Sequence, residues 1–148
     1  KRTTDCPACS KDAVPKPLSP ATYEAINCPN PSVQNSMTNS EIPLEVCVTD
    51  AKAILDEPAT KARLIDVREP HEFAICSIQG AHQIPLRQIP DHLSELPRDE
   101  HLLIHCHHGG RSLRVTEYLR DQGFPAVSNV AGGINSWANE IEPDMLRY

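Results

Sequence analysis

The chain lacks any long apolar run. None of its hydrophobic stretches approaches the roughly 18 residues needed for a membrane-spanning helix, so no helical transmembrane segment is expected. It also lacks an excess of positive charge: 14 Lys and Arg stand against 20 Asp and Glu, a net charge of −6. That balance gives no footing for nucleic acid or for an anionic membrane surface, so neither is expected as a partner. The first ten residues are polar and contain no secretory signal. The six cysteines follow no regular spacing. A chain of this length can build a core without covalent staples, so a reducing cytoplasm is expected rather than a disulfide framework. The first residue is Lys1 and not Met, which reads as a fragment or a processed product.

Two regions differ in composition. Residues 1–43 hold half of the 14 prolines, together with many Ser, Thr and Asn and few large apolar residues. Such a segment cannot bury enough surface to offset its ordering entropy, and it reads as a flexible linker or tail. From Leu44 to Tyr148 short strands alternate with helices. Strands are expected at 45–48, 62–67, 81–84, 101–105 and 126–130. Helices are expected after a cap at Thr49 or Asp50, from Pro70 to Cys76, from Ser112 to Gln122 with Leu113, Thr116 and Leu119 on one face, and after Gly132-Gly133. Leu86, Ile89, Leu93 and Leu96 recur at helical spacing, but Pro90 interrupts them. The alternation argues for an α/β fold with a mostly parallel sheet covered on both faces. In such a sheet the site lies at the carboxyl ends of the strands.

Cys106 stands at one of those ends. Leu102-Leu103-Ile104 runs into it, and His107-His108-Gly109-Gly110-Arg111-Ser112 follows. A strand that ends in a cysteine, turns through glycines and enters a helix directs backbone N–H groups onto the sulfur. That setting lowers a thiol pKa and makes a nucleophile. Gly109 and Gly110 permit close backbone approach. Arg111 supplies fixed positive charge, and Ser112 is placed to cap the following helix. His107 and His108 are read at the mouth or wall of the pocket. Asp66 and Arg68 end a strand on the same side and read as a structural ion pair supporting the loop. Cys47, Cys76 and Trp137 read as core. No metal site is expected. A cluster of His105, His107 and His108 is disfavoured, because the loop between them must curl around sulfur. Cys6-x-x-Cys9 is only half of a tetrahedral zinc site, with no second pair of matching spacing.

Three blocks together resemble the rhodanese-homology family: Leu64-Ile65-Asp66-Val67-Arg68-Glu69-Pro70-His71-Glu72-Phe73 with Gly80-Ala81-His82-Gln83-Ile84-Pro85; Cys106 to Ser112; and Asn129-Val130-Ala131-Gly132-Gly133-Ile134-Asn135-Ser136-Trp137. The match covers about residues 44–148. The resemblance implies a five-stranded rhodanese-like α/β fold. It also implies sulfurtransferase activity, with Cys106 carrying a persulfide and no cofactor. The donor implied is thiosulfate or a protein persulfide. A weaker resemblance joins Asp5-Cys6-Pro7-Ala8-Cys9, Tyr23, Cys28 and Phe73-Ala74-Ile75-Cys76 to ubiquitin-activating-type adenylyltransferases fused to rhodanese domains. It implies a larger protein that serves a ubiquitin-like sulfur-carrier protein. Two alternatives stay open: a cysteine-based phosphatase or arsenate reductase of related fold, and a non-catalytic interaction module. The phosphatases use a loop one residue longer between Cys and Arg, to surround a tetrahedral phosphate. The interaction modules usually lack the cysteine.

Overall fold

The computed structural model describes residues 42–148. The Cys6–Cys9 half-site and the adenylyltransferase-like tail with Tyr23 and Cys28 lie outside the described residues, as does nearly all of the expected linker. In chain order the elements are β1 (Glu45–Val46), α1 (Val48–Asp56), β2 (Ala62–Asp66), α2 (Pro70–Ile75), β3 (His82–Gln83), a 3₁₀ helix (Leu86–His92), β4 (His101–His105), α3 (Gly110–Asp121), β5 (Val127–Val130) and α4 (Gly133–Glu140). The five strands form one sheet in the order β1-β5-β4-β2-β3. Every pairing is parallel. This is the expected rhodanese-like architecture, with β4 in the centre.

The side-chain alternation of strands sorts the core onto two faces. Ile65 and Val67 of the β2 segment, Leu102, Ile104 and Cys106 of the β4 segment, and Val127 of β5 pack with Val115 and Leu119 of α3 and with Ile89. Leu64, Leu103 and Val130 turn the other way, onto Val48 and Ala51 of α1 and Ile134 and Trp137 of α4. Cys106 thus continues the parity of Leu102 and Ile104 and falls on the face covered by α3.

Several local expectations shift. The first strand stops at Val46, and Cys47, not Thr49 or Asp50, is the residue before α1. The carbonyl of Cys47 accepts from the Ala51 N–H at 2.9 Å, which starts the helical ladder two residues early. The Leu86–His92 stretch is a 3₁₀ helix because Pro90 supplies no N–H and its ring disfavours a regular α-turn. The buried face of α3 is Ser112, Val115, Thr116 and Leu119, and Leu113 is only half-buried. The chain is already tied to the domain before Leu44: Arg120 Nη2 donates to the Ile42 and Pro43 carbonyls at 2.9 and 2.8 Å.

One buried ion pair joins β2 to its surroundings. Asp66 and Arg68 are both fully buried. Arg68 Nε lies 2.9 Å from each Asp66 oxygen. Its remaining donors reach the Cys76 carbonyl at 2.8 Å and the Tyr148 hydroxyl at 2.9 Å. Burial works against the guanidinium charge, but the hydrogen bonds that Arg68 donates to Asp66 and Tyr148 outweigh it and hold the Arg68 pKa above its ordinary value. Removing one partner strands the other charge in the interior. Arg68→Met is expected to cost about 3–5 kcal/mol in urea unfolding; a loss below about 1 kcal/mol would show that water reaches Asp66.

Candidate active site

Two helix N-termini converge on the segment after β4. The first belongs to α3. Its N-cap is Gly109, at φ +101°, a left-handed conformation in which a Cβ is strained. That turn directs the Gly109 N–H to Cys106 Sγ at 3.2 Å. Ser112 is not the cap. It lies inside the first turn of α3, where its hydroxyl sits 3.3 Å from Cys106 Sγ and 3.0 Å from the Gly109 carbonyl. One hydroxyl hydrogen serves both acceptors. The second terminus belongs to α4. The Ile134 and Asn135 N–H groups donate to the carbonyls of Cys106 and His107 at 2.9 and 3.1 Å. The loop is therefore gripped at its sulfur by one helix and at its carbonyls by the other.

Cys106 is 1% exposed. Burial alone would suit an inert core thiol. The polar hydrogens aimed at its sulfur do not suit one. Burial pushes the thiol pKa up, but the Ser112 hydroxyl and the amides of Ser112, Gly109 and Arg111 together outweigh it and hold the thiol below its ordinary value. These donors favour the thiolate because they meet charge with N–H and O–H dipoles in a site of low dielectric. Within the loop, His108 and Gly110 are the exposed residues.

The Arg111 charge, expected as fixed positive charge near the loop, is held by a carboxylate. Its two terminal nitrogens each lie 2.7 Å from an oxygen of Glu72 in a bidentate pair. The Arg111 hydrogen bonds, working against burial, draw the Glu72 carboxyl down to about 2. Glu72 also accepts from the Glu69 N–H at 3.0 Å and from the Tyr148 hydroxyl at 2.9 Å. Tyr148 in turn lies against His107, ring centroids 4.5 Å apart, and His107 stacks on His108 at 4.1 Å. Burial, then the neighbouring His108, lowers the His107 pKa. His105 is held in the interior instead. It is fully buried beside Asp66, Nε2 to Oδ2 3.7 Å, and burial takes its pKa down to about 4. The three histidines 105, 107 and 108 therefore do not converge. Among the described residues no group of three or more His, Cys, Asp or Glu is arranged to hold a metal.

Residues 48–140 match the family described as rhodanese-like domain. The chain belongs to the rhodanese-like family. A sulfurtransferase from Allochromatium vinosum is 43% identical over 80 residues, 54% of this chain and 75% of that protein. A probable adenylyltransferase/sulfurtransferase, MoeZ, from Mycobacterium tuberculosis is 38% identical over 90 residues, 60% of this chain but 23% of its own length. This rhodanese-like chain thus spans less than a quarter of the second relative. A rhodanese-like domain protein from Staphylococcus aureus superposes with TM-score 0.60 at 32% identity, over 70% of this chain and 97% of that one.

Sequence reasoning reached the cysteine loop and the Asp66–Arg68 pair, but not the places of Glu72 and Tyr148. Glu72 carried one legible signal, its place three residues after Glu69 at a Pro-started helix, which reads as a helix cap. Tyr148 carried none. Gly133 reads in the sequence as a helix start within the third motif block, not as a point of close backbone approach. A Cβ there would stand 2.3 Å from the Cys106 carbonyl oxygen and 2.6 Å from that of His107, whereas a Cβ on Gly110 meets nothing within 4 Å. Gly133→Ala is expected to cost at least about 2 kcal/mol in denaturant unfolding, and Gly110→Ala less than about 0.5 kcal/mol. Equal costs would mean that the α4 terminus does not hold the loop. Ser112→Ala removes a donor from the sulfur and is expected to move the pH midpoint of Cys106 alkylation upward. An unmoved midpoint would leave the amides as the whole cause.

Proposed function

We propose that this domain is a sulfurtransferase in which Cys106 carries one sulfane sulfur as a persulfide between a donor and a thiophilic acceptor. The observation that carries the reading is the pair of donors on a depressed-pKa thiol, Gly109 N–H and Ser112 O–H on Cys106 Sγ. The Cys106 thiolate attacks the outer sulfur of thiosulfate or of a protein persulfide. A sulfur–sulfur bond forms at Cys106, the donor's sulfur–sulfur bond breaks, and sulfite or a thiolate leaves with the electron pair. The Cys106 persulfide anion keeps the same amides as partners. A thiol or cyanide then attacks the terminal sulfur and the Cys106 thiolate leaves. With a carrier protein the persulfide instead attacks the activated C-terminal carbonyl, the activating group departs, and two further thiols reduce the acyl disulfide so formed to the thiocarboxylate and the Cys106 thiolate. His107, His108, Gly109, Gly110, Arg111 and Ser112 form the binding loop, and Asp66 and Arg68 brace it from beneath.

A ubiquitin-like sulfur carrier is the protein acceptor we infer, supported by the likeness to the adenylyltransferase/sulfurtransferase relative. The cytoplasm is the proposed setting. It suits a mechanism that needs reduced thiols. The interval from Cys106 to Arg111 favours a single sulfur over a phosphate.

The test is intact mass after mixing with excess thiosulfate. The expected result is a gain of about 32 Da, one sulfur atom, that cyanide removes and that Cys106→Ser abolishes with no change in unfolding. Sulfur loading retained in Cys106→Ser would refute the assignment. Hydrolysis of an aryl phosphate with no sulfur loading would replace it by the phosphatase reading.

A further inference from the structure

Arg111 is the cation of the active loop itself, and its charge is already spent. Both terminal nitrogens engage Glu72 at 2.7 Å. A bidentate guanidinium–carboxylate pair has no net charge and is geometrically fixed. Glu72 is not a passing partner. Its side chain is 11% exposed, and it is held from two further directions by the Glu69 N–H and the Tyr148 hydroxyl, at 3.0 and 2.9 Å. The next arginine, Arg68, is consumed by Asp66 in the same way. Arg147 lines the recess beside His107 and Tyr148; it lies outside the active loop, is exposed, and keeps its charge, since its Nη2 meets a neutral acceptor, the Ala138 carbonyl, at 3.2 Å. The chain as a whole carries −6, so its overall field does not draw in a dianion either.

We propose that Glu72 is a specificity-determining residue: by pairing Arg111 it sets the site against doubly charged sulfane donors and toward donors with at most one negative charge. The proposal rests on the sulfur-transfer reading above and names its donor class. The amides around Cys106 supply dipoles to stabilise one developing thiolate or persulfide charge. They do not supply the whole counter-charge that a free guanidinium would bring to a second anionic group on the donor. Glu72 acts through Arg111 and is a positioning residue.

Two probes isolate charge from chemistry. Thiosulfate is a dianion, and the methanethiosulfonate anion is its singly charged analogue with a methyl group in place of one oxygen. Each loads Cys106 by the same displacement. The thiolate forms a bond to the sulfane sulfur, the donor's sulfur–sulfur bond breaks, and sulfite or methanesulfinate departs with the bonding electrons. Charge balances in both cases, and no redox partner is needed.

The experiment measures kcat/KM for both donors with cyanide as acceptor, in the native chain and in Glu72→Gln. Glutamine at this position still accepts from the Glu69 N–H. The native chain is expected to prefer methanethiosulfonate. In Glu72→Gln the ratio of thiosulfate to methanethiosulfonate kcat/KM is expected to rise roughly tenfold, chiefly through KM for thiosulfate, and to fall again with added salt. A parallel loss for both donors, with the ratio unchanged, would make Glu72 merely structural and overturn the proposal. Should the variant fail to fold, the native chain decides: preference for the dianion overturns it. Absence of a Cys106 persulfide with either donor, read by mass, overturns the sulfur-transfer reading itself.

Discussion

A ring of hydrogen-bond donors around one buried sulfur is the constraint on which the rest of the site depends. The thiol lies in the interior, where a thiolate is disfavoured. Only donors fixed in place can reverse that. The Gly109 N–H and the Ser112 hydroxyl reach the sulfur from the first turn of α3. The carbonyls of the same loop, which would otherwise face the sulfur or go unpaired, are drawn off by the amides of Ile134 and Asn135. One helix therefore presents donors to the nucleophile while the other removes acceptors from it. Neither arrangement works without the other, because the loop backbone has to turn its N–H groups inward and its C=O groups outward at once.

The glycines make this geometry available. Gly109 adopts φ +101° and Gly133 φ +57°. At Gly133 the absence of a side chain is also a matter of space, since the loop carbonyls occupy the place a Cβ would take. The two glycine-rich motifs, far apart in the chain, are in this sense one structural device. A second layer of charge surrounds it. Asp66 with Arg68 and Glu72 with Arg111 are each paired, and Tyr148 ties the two pairs together through its hydroxyl. The buried pair of Asp66 and Arg68 is tolerated because each charge finds its opposite and the remaining Arg68 hydrogens find carbonyl and hydroxyl oxygens. Of the two pairs, Glu72 with Arg111 includes a residue of the loop itself.

The α/β class, the parallel sheet and the position of Cys106 were legible because they rest on local patterns. Leu102-Leu103-Ile104 reads as a fully buried strand, and its parity carries through to Cys106. Gly109-Gly110 reads as a turn into a helix. Boundaries read less well. Val48 begins a helix rather than ending a strand, since a β-branched apolar residue suits either and only packing on α4 decides. Ser112 has the chemistry of a cap, but Gly109 takes that place and the Ser112 hydroxyl is shared between the sulfur and the Gly109 carbonyl.

The sequence by itself determined the kind of site: a cysteine at the carboxyl end of a central strand, followed by a glycine turn and an arginine, in a chain with the alternation of a parallel α/β sheet. Those features are local, and spacing along the chain carries them. Tertiary structure alone decided who meets the loop. Glu72, Tyr148, Ile134 and Asn135 come to it from α2, from the end of the described chain and from α4. Their roles arise from long-range approach, which no local pattern of side-chain types encodes, and so the partner of Arg111 could be known only once the strands had been placed side by side.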